Sequence, residues 1–281
     1  MALRFADHEF AALPQLRWHP EAKRIQAFAG GRPVIDTTRA RIVWEPRRVV
    51  PSYAVPIEDL AGSLVEGAPA AEGAGGAERA VRMGDGPPVL DPRTGFRMHT
   101  TAGTTYDVRT ATATLADAAF QPGDGDFDGY VIVDFAAFDE WREEDEVLVG
   151  HPRDPFKTVD TRRSSRRITV QIAGETVADS TRSVMLFETY LPTRYYLPRD
   201  DVRMDLLTPS DSTSICAYKG RARYWSADVG GTRVDDVAWS YEEPDNYAVP
   251  VKDLVCFYNE RVDISVDGVP QERPRSPWSG E

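Results

Sequence analysis

An all-β, mostly antiparallel protein made of two tandem copies of a small sandwich-like domain, with few short helical turns, is what this sequence predicts. Three observations predict it. Apolar and polar residues alternate with a two-residue period, most cleanly where Ile168, Val170 and Ile172 interleave with Thr169 and Gln171; this is the pattern of a strand with one buried face. Such runs are short and recur at intervals of roughly ten residues, as in sandwiches and open barrels. The chain also repeats itself. R-I-Q-A-F-A-G-G-R-P-V-I-D-T-T-R from Arg24 to Arg39 lines up with R-I-T-V-Q-I-A-G-E-T-V-A-D-S-T-R from Arg167 to Arg182, 143 positions on. Repetition at a fixed spacing marks a duplicated structural unit.

In order, the first copy spans residues 1–158. At the spacing of 143, Trp44 and Glu45 meet Phe187 and Glu188, and Tyr53 meets Tyr196. Farther along, Gly103 meets Gly220 and Tyr130 meets Tyr247 at a spacing of 117, which places an insertion in the first copy. Residues 61–86, rich in Ala, Gly and Pro, have no period able to bury a face and read as a flexible surface excursion. One match fits neither spacing: Y-A-V-P-I-E-D-L from Tyr53 resembles Y-A-V-P-V-K-D-L from Tyr247. Polar and basic residues 153–167 join the copies, and the second spans 159–281. There Ile168–Ile172 and Thr176–Ala178 form a hairpin about A-G-E-T. Ser183–Glu188, Arg194–Leu197, Arg221–Trp225 and Val237–Tyr241 are further strands. Pro198 and the acidic Asp200 open a helical turn running towards Leu207. Val251–Phe257 and Arg261–Val266 close the copy, and the aperiodic tail Q-E-R-P-R-S-P-W-S-G-E is expected to fray.

Composition excludes several classes. Over 281 residues the formal charge is −12, with 41% hydrophobic and 10% aromatic residues. That supports a packed core and repels phosphate backbones and anionic membranes, so no nucleic acid and no membrane is expected as a partner. Arg162, Arg163, Arg166 and Arg167 form the one local basic cluster. Cys216 and Cys256 are the only cysteines and no CxxC occurs, so no zinc ribbon or redox dithiol is written, and reduced thiols in a cytoplasmic protein are expected. No signal peptide is expected from the opening residues, and no apolar run reaches membrane-spanning length. Asp124, Asp126, Asp128 and Gly129 spell D-x-D-x-D-G, the opening of a calcium loop, but Phe135 stands where its twelfth-position glutamate belongs, so a polar hairpin loop is expected. The acidic cluster from Asp139 to Glu146 reads as a solvated face around Trp141. No cofactor motif and no metal site is expected.

The richest chemistry lies in Ser210–Trp225, S-D-S-T-S-I-C-A-Y-K-G-R-A-R-Y-W. Lys219 among aromatics suits an anion anchor, or a base or nucleophile of lowered pKa, unless it sits in a tight turn made by Gly220 with its ammonium in water. Cys216 has no histidine in the second copy to activate it, since His8, His19, His99 and His151 all precede the junction, and an inert thiol is favoured. Alternation puts Tyr224 and Trp225 on opposite faces of a strand, and Trp239 and Tyr241 on one. Aromatics of this number either line a pocket for a flat ligand or fill the core. At the spacing of 117, Cys216, Lys219, Trp225, Trp239 and Tyr241 meet His99, Ala102, Val108, Pro122 and Asp124, so the first copy is expected to be degenerate.

The strings T-S-I-C-A-Y-K-G-R-A-R-Y-W-S, V-A-W-S-Y-E-E-P and F-Y-N-E-R-V-D-I-S-V-D-G, with the earlier V-A-D-S-T-R and Y-Y-L-P-R-D-D-V, resemble the domain of unknown function 427 over about residues 167–268. W-E-P at Trp44–Pro46 is similar to the same family in the first copy. The resemblance implies a compact antiparallel fold related to the β-tent group, without that group's CxxC zinc knuckles, and a nucleotidyltransferase label. The resulting expectation is a small-molecule-binding domain with ligand contacts from Cys216, Tyr218, Lys219, Trp225, Trp239 and Tyr241. A nucleotidyl-transferring enzyme using Asp200, Asp201, Asp205 or Asp211, and an interaction scaffold without a pocket, are the rival readings.

Overall fold

The computed structural model describes residues 2–70, 80–82 and 86–279. The chain divides into two compact units, Met1–Val81 with Gly86–Asp154, and Pro155–Glu281 with Arg82–Asp85. The first holds the α-helix Phe5–Ala12. Strands β1 (Arg17–Pro20), β2 (Ile25–Ala29), β3 (Arg32–Thr37), β4 (Arg41–Trp44), β5 (Ser52–Pro56) and β6 (Ser63–Ala70) follow. A short hairpin of β7 (Ala80–Val81) and β8 (Val89–Leu90) comes next. β9 (Gly103–Arg109), β10 (Thr114–Pro122), β11 (Tyr130–Val133), β12 (Glu140–Glu143) and β13 (Glu146–Leu148) complete this unit. The second holds β14 (Val159–Ser164), β15 (Ile168–Ile172), β16 (Glu175–Ser180), β17 (Ser183–Glu188), β18 (Arg194–Leu197), β19 (Leu207–Cys216) and β20 (Gly220–Val229). It ends with β21 (Thr232–Pro244), β22 (Val255–Phe257), β23 (Asp263–Val266) and β24 (Val269–Pro270).

The units share one topology. A seven-stranded sheet runs β1-β4-β5-β11-β10-β9-β6 in the first and β14-β17-β18-β22-β21-β20-β19 in the second. A four-stranded sheet runs β13-β12-β2-β3 in the first and β24-β23-β15-β16, read from the other end, in the second. The ladders are antiparallel throughout the described residues, so the protein is all-β as the alternation requires. In each unit the apolar faces of the two sheets meet in the main core. Ile168, Val170, Ile172, Ile264 and Val266 pack on Leu197, Trp225, Ala227, Ala238 and Phe257 in the second unit. Ile25, Ala27, Ile35 and Trp141 meet Ile42, Val55, Val108 and Val131 in the first. Burying each Val, Leu, Ile or Phe among them stabilises by about 1.5–3 kcal/mol.

The ladders correct the sequence alignment. Val184 lies opposite Tyr196 where Arg41 lies opposite Ala54, so the counterpart of Tyr196 is Ala54 and that of Tyr53 is Tyr195. Trp239 pairs with Cys256 as Phe120 pairs with Ile132. Trp225 pairs with Ala238 as Tyr106 pairs with Ala119. The spacing of 117 therefore misplaced Trp225, Trp239 and Tyr241, whose counterparts are Tyr106, Phe120 and Pro122. All three share one spacing, and the bulge between Trp225 and Ala227 has its equivalent between Leu115 and Ala119 in the first unit, so it is the matches at Gly103 and Tyr130 that stand out of register with the ladders.

Three expectations on loops change as well. Residues 63–70, assigned to the excursion, form β6 and pair with β9; the rest of it at 71–79 and 83–85 lies outside the described residues. The joining stretch contains β14, which ladders onto β17 from Val159 to Ser164. The described part of the tail does not fray. Ser276 is buried and hydrogen-bonded to Glu260, and Trp278 packs on the second unit.

Candidate functional site

In the second unit the seven-stranded sheet has apolar side chains on both faces. Alternate positions turn away from the main core: Val184 and Leu186 on β17, Tyr196 on β18, Cys256 on β22, Trp239 and Tyr241 on β21, Ala222 and Tyr224 on β20. They form a second apolar cluster, roofed by the 3₁₀ segment Asn246–Val251 through Ala248 and Val251, and by Trp278. Trp239 Nε1 donates to Tyr196 Oη at 3.2 Å, and the two rings meet edge-on at 6.2 Å. Tyr258 packs 4.5 Å from Trp239 and stacks on Tyr224, whose hydroxyl lies 2.7 Å from Ser214 Oγ.

Two ion pairs are sunk into this face. Lys219 occupies the hairpin turn between β19 and β20, where its N–H donates to Cys216 O at 3.3 Å and Gly220 takes a φ of +91°. The turn geometry expected of Gly220 is present, yet the ammonium is not in water. It folds inward to Glu188 at the end of β17, the side chains being 12% and 11% exposed. Burial works against the charged amine, and the Glu188 carboxylate outweighs it and holds the ammonium above its usual range. Cys216, half-buried, and Tyr241 lie close enough to share this field. Burial pushes the Tyr196 and Tyr241 phenols well above their ordinary value and the Cys256 thiol up to about 12, so all three are neutral at pH 7. The second pair joins Arg194 to Glu260 at 2.7 and 2.8 Å. The guanidinium also lies 5.5–5.8 Å from the ring centres of Trp239, Tyr258 and Trp278.

Cys216, Lys219, Trp239 and Tyr241 are thus brought to one face, and Tyr218 is buried in the same turn. Trp225 is not brought there. As alternation demands, it points the other way into the main core, with Arg199 Cζ 4.9 Å over its ring. Glu188, Arg194, Tyr258 and Glu260 were missed by sequence reasoning. Glu188 had a signal in its match to Glu45, whereas Arg194 and Glu260 are non-local partners with none.

The carboxylates available for nucleotidyl transfer do not converge. Asp201 is held by Ser180 and Arg182, and Asp205 by Arg203. Among the described residues no three His, Cys, Asp or Glu side chains are placed to hold a metal ion. In the D-x-D-x-D-G loop, Asp124 caps the 3₁₀ turn Gly125–Phe127 by accepting Asp126 N–H, and Asp126 accepts Trp18 Nε1–H at 3.2 Å. The acidic cluster near Trp141 is no plain solvated face: Glu143 accepts from Tyr53 Oη at 2.6 Å and from Lys23, and Asp139 accepts Gly30 N–H. Among the described residues no helix is long and apolar enough to cross a membrane.

Comparison with curated proteins gives no match. Residues 160–268, which run from within β14 past β23 and carry the Lys219–Glu188 face, match the family described as Domain of unknown function (DUF427).

Proposed function

We propose that the second unit is a small-molecule-binding domain whose ligand is held at the sheet face around Lys219, Glu188, Tyr218, Trp239 and Tyr241, in a cytosolic protein whose two units descend from one duplicated fold. The observation that carries this reading is the sunken Lys219–Glu188 pair among indole and phenol rings. Sinking two ions costs several kcal/mol each before their attraction is counted, so such a pair is a poor stabiliser and a good recognition device. The pair also defines the ligand class. Lys219 is already neutralised by Glu188, so a bound anion would have to displace that carboxylate. An uncharged flat molecule gains the aromatic surface and the neutral phenol donors without that cost. The two free thiols, Cys216 and Cys256, support the cytosolic setting, and the shared strand order supports the duplication. Nucleotidyl transfer is the weaker reading, since it calls for carboxylates gathered beside a phosphate-binding loop.

A thermal-shift screen of a metabolite library tests the proposal. A true ligand raises the Tm of wild type and loses that effect with Lys219→Met and with Tyr241→Phe, because only binding to the native state shifts the melting point. Hits that stabilise both variants as well as wild type would place the ligand elsewhere.

A further inference from the structure

The segment that follows β24 lies against the second apolar cluster of its unit. Its last backbone hydrogen bond to a strand, among the described residues, is Gln271 N–H to Ile264 O at 2.8 Å. Beyond that point side chains fix it. Arg273 pairs with Asp263 at the surface at 2.8 Å, the Ser276 hydroxyl donates to Glu260, and Pro277 is buried. Trp278 joins Trp239 and Tyr258 around the Arg194 guanidinium, its ring centre 5.8 Å from Cζ. The segment is also folded on itself. Ser276 N–H donates to Ser279 Oγ at 2.9 Å, Trp278 N–H to Ser276 Oγ at 3.2 Å, and Ser279 N–H to Ser276 O at 3.0 Å. It is a closed turn, carried by the exposed residues 271–273 and docked as one piece.

Such a dock is built to release. Arg194 and Glu260 bond each other through both guanidinium ends, so undocking the segment leaves neither buried ion unpaired. It breaks the hydroxyl bond to Glu260, and water serves the freed hydroxyl. Of the three rings about the guanidinium, Trp239 lies on β21 and Tyr258 directly follows β22, whereas Trp278 rides on a segment outside the strands. Segments with few backbone bonds to the body of a fold open most easily. What the segment lays on the face is flat and uncharged, since Arg273 pairs elsewhere and Arg275 is exposed. That is the ligand class the neutralised Lys219–Glu188 pair favours. Arg194 stands close enough to Lys219 to act on its charge, so both pairs belong to one face.

We propose that residues 274–279 form an autoinhibitory strap, in which Trp278 holds the Arg194–Trp239–Tyr258 end of the binding face in place of a flat, uncharged aromatic ligand that enters by displacing it. The inference rests on this face being a binding site. Full-length protein carrying 5-fluorotryptophan tests it, with N-phenyl-1-naphthylamine, an uncharged flat fluorophore, as the probe. The Trp278 ¹⁹F resonance is the one of six lost in Trp278→Phe. The probe is expected to move that resonance saturably to its water-exposed position while Trp225, buried in the main core, stays in place. Ser276→Ala removes the latch. It is expected to move the resonance without probe and to tighten probe binding about tenfold, because losing one hydrogen bond to a charged group raises the open fraction by that factor. Trp278→Ala, which empties the place, is expected to tighten binding at least as much, and decides the matter should Ser276→Ala not fold. Equal probe affinity in wild type and the folded variants overturns the strap. So does a Trp278 resonance that stays put when the probe binds or when Ser276 is replaced. Each of these results leaves the binding face standing. A probe that binds neither wild type nor either variant overturns the binding face, and the strap with it.

Discussion

Lys219 shows how burial and charge together decide what a residue is. In a hairpin turn an ammonium normally points to water, but here it is paired with Glu188 inside an apolar face. Removing one partner strands the other, which for a buried pair costs about 3–5 kcal/mol, whereas replacing both with apolar groups of similar volume is close to neutral. Lys219→Met and Glu188→Leu are each expected to destabilise by about that much, and the double variant to recover most of it, in urea denaturation run as a double-mutant cycle. Single costs below about 1 kcal/mol would mean that the pair is relieved by solvent and is no buried pair at all. The pH dependence has a definite sign. The folded-state pKa of Lys219 is raised, so its stabilisation is complete below the unfolded value of about 10.4 and is lost as pH rises through the folded value. Alkaline melts of wild type should fall more steeply above that point than those of the double variant.

The hairpin that delivers Lys219 depends on a single glycine. Gly220 has a φ of +91°, and a Cβ there would meet Glu243 O at 3.0 Å and Asp245 N at 3.2 Å. Gly174, in the turn between β15 and β16, has a φ of +81° with nothing within 4 Å. Gly174→Ala should therefore cost about 1 kcal/mol from backbone strain alone. Gly220→Ala should cost about 2–3 kcal/mol, adding the clash, and should abolish ligand-induced shifts by moving Lys219. Equal costs in parallel thermal melts would show that the turn yields without disturbing the site. Elements of this kind were legible where their cause is local. Alternation around Ile168 announced β15, and Pro198 with the acids after it announced the 3₁₀ turn Arg199–Asp201. What was not legible is register and context. The string Y-A-V-P-I-E-D-L forms β5 and the 3₁₀ turn Ile57–Asp59, because Tyr53 is buried between β4 and β11. Its near twin from Tyr247 falls in the 3₁₀ segment Asn246–Val251, where Asp245 caps the Asn246 N–H and Tyr247 is half exposed. Partners outside the string decide its fold. Likewise the bulges beside Ala222 and Ala227, which shift β21 against β20, leave no trace in the sequence. Lys219 was legible as a candidate from its company, whereas Glu188 as its partner depends on how β17 and the β19–β20 turn meet across the sheet.

Across the molecule, both units pair carboxylates with arginines within their small sheets and between small sheet and large. Asp36 accepts from Arg24, and Asp59 from Thr37 and Arg39, in the first unit; Asp179 accepts from Arg167, and Asp201 from Ser180 and Arg182, in the second. The arginine hydrogen bonds hold Asp36, Asp179 and Asp201 below the usual carboxylate range, and the Thr37 and Arg39 bonds do so for Asp59 against burial. Glu260, despite burial, is likewise lowered by Arg194. A depressed folded-state pKa gives stability that is present above the unfolded value, about 4, and lost as pH falls through the folded one. A competing effect has the opposite sign. With a formal charge of −12, the first protons bound relieve self-repulsion and favour the folded state. The two act in different windows, so Tm should hold or rise slightly from pH 7 to about 5 and then fall steeply below about 4. High salt should flatten the first limb, because exposed charges are screened, and affect the buried Arg194–Glu260 contribution least. Glu260→Gln should lower Tm at pH 7 and make the acid limb shallower, having removed one group that must be protonated. A Tm that climbs steadily down to pH 3 would mean that relief of repulsion outweighs the loss of the paired carboxylates, and that these arginine pairs do not dominate the acid stability of either unit.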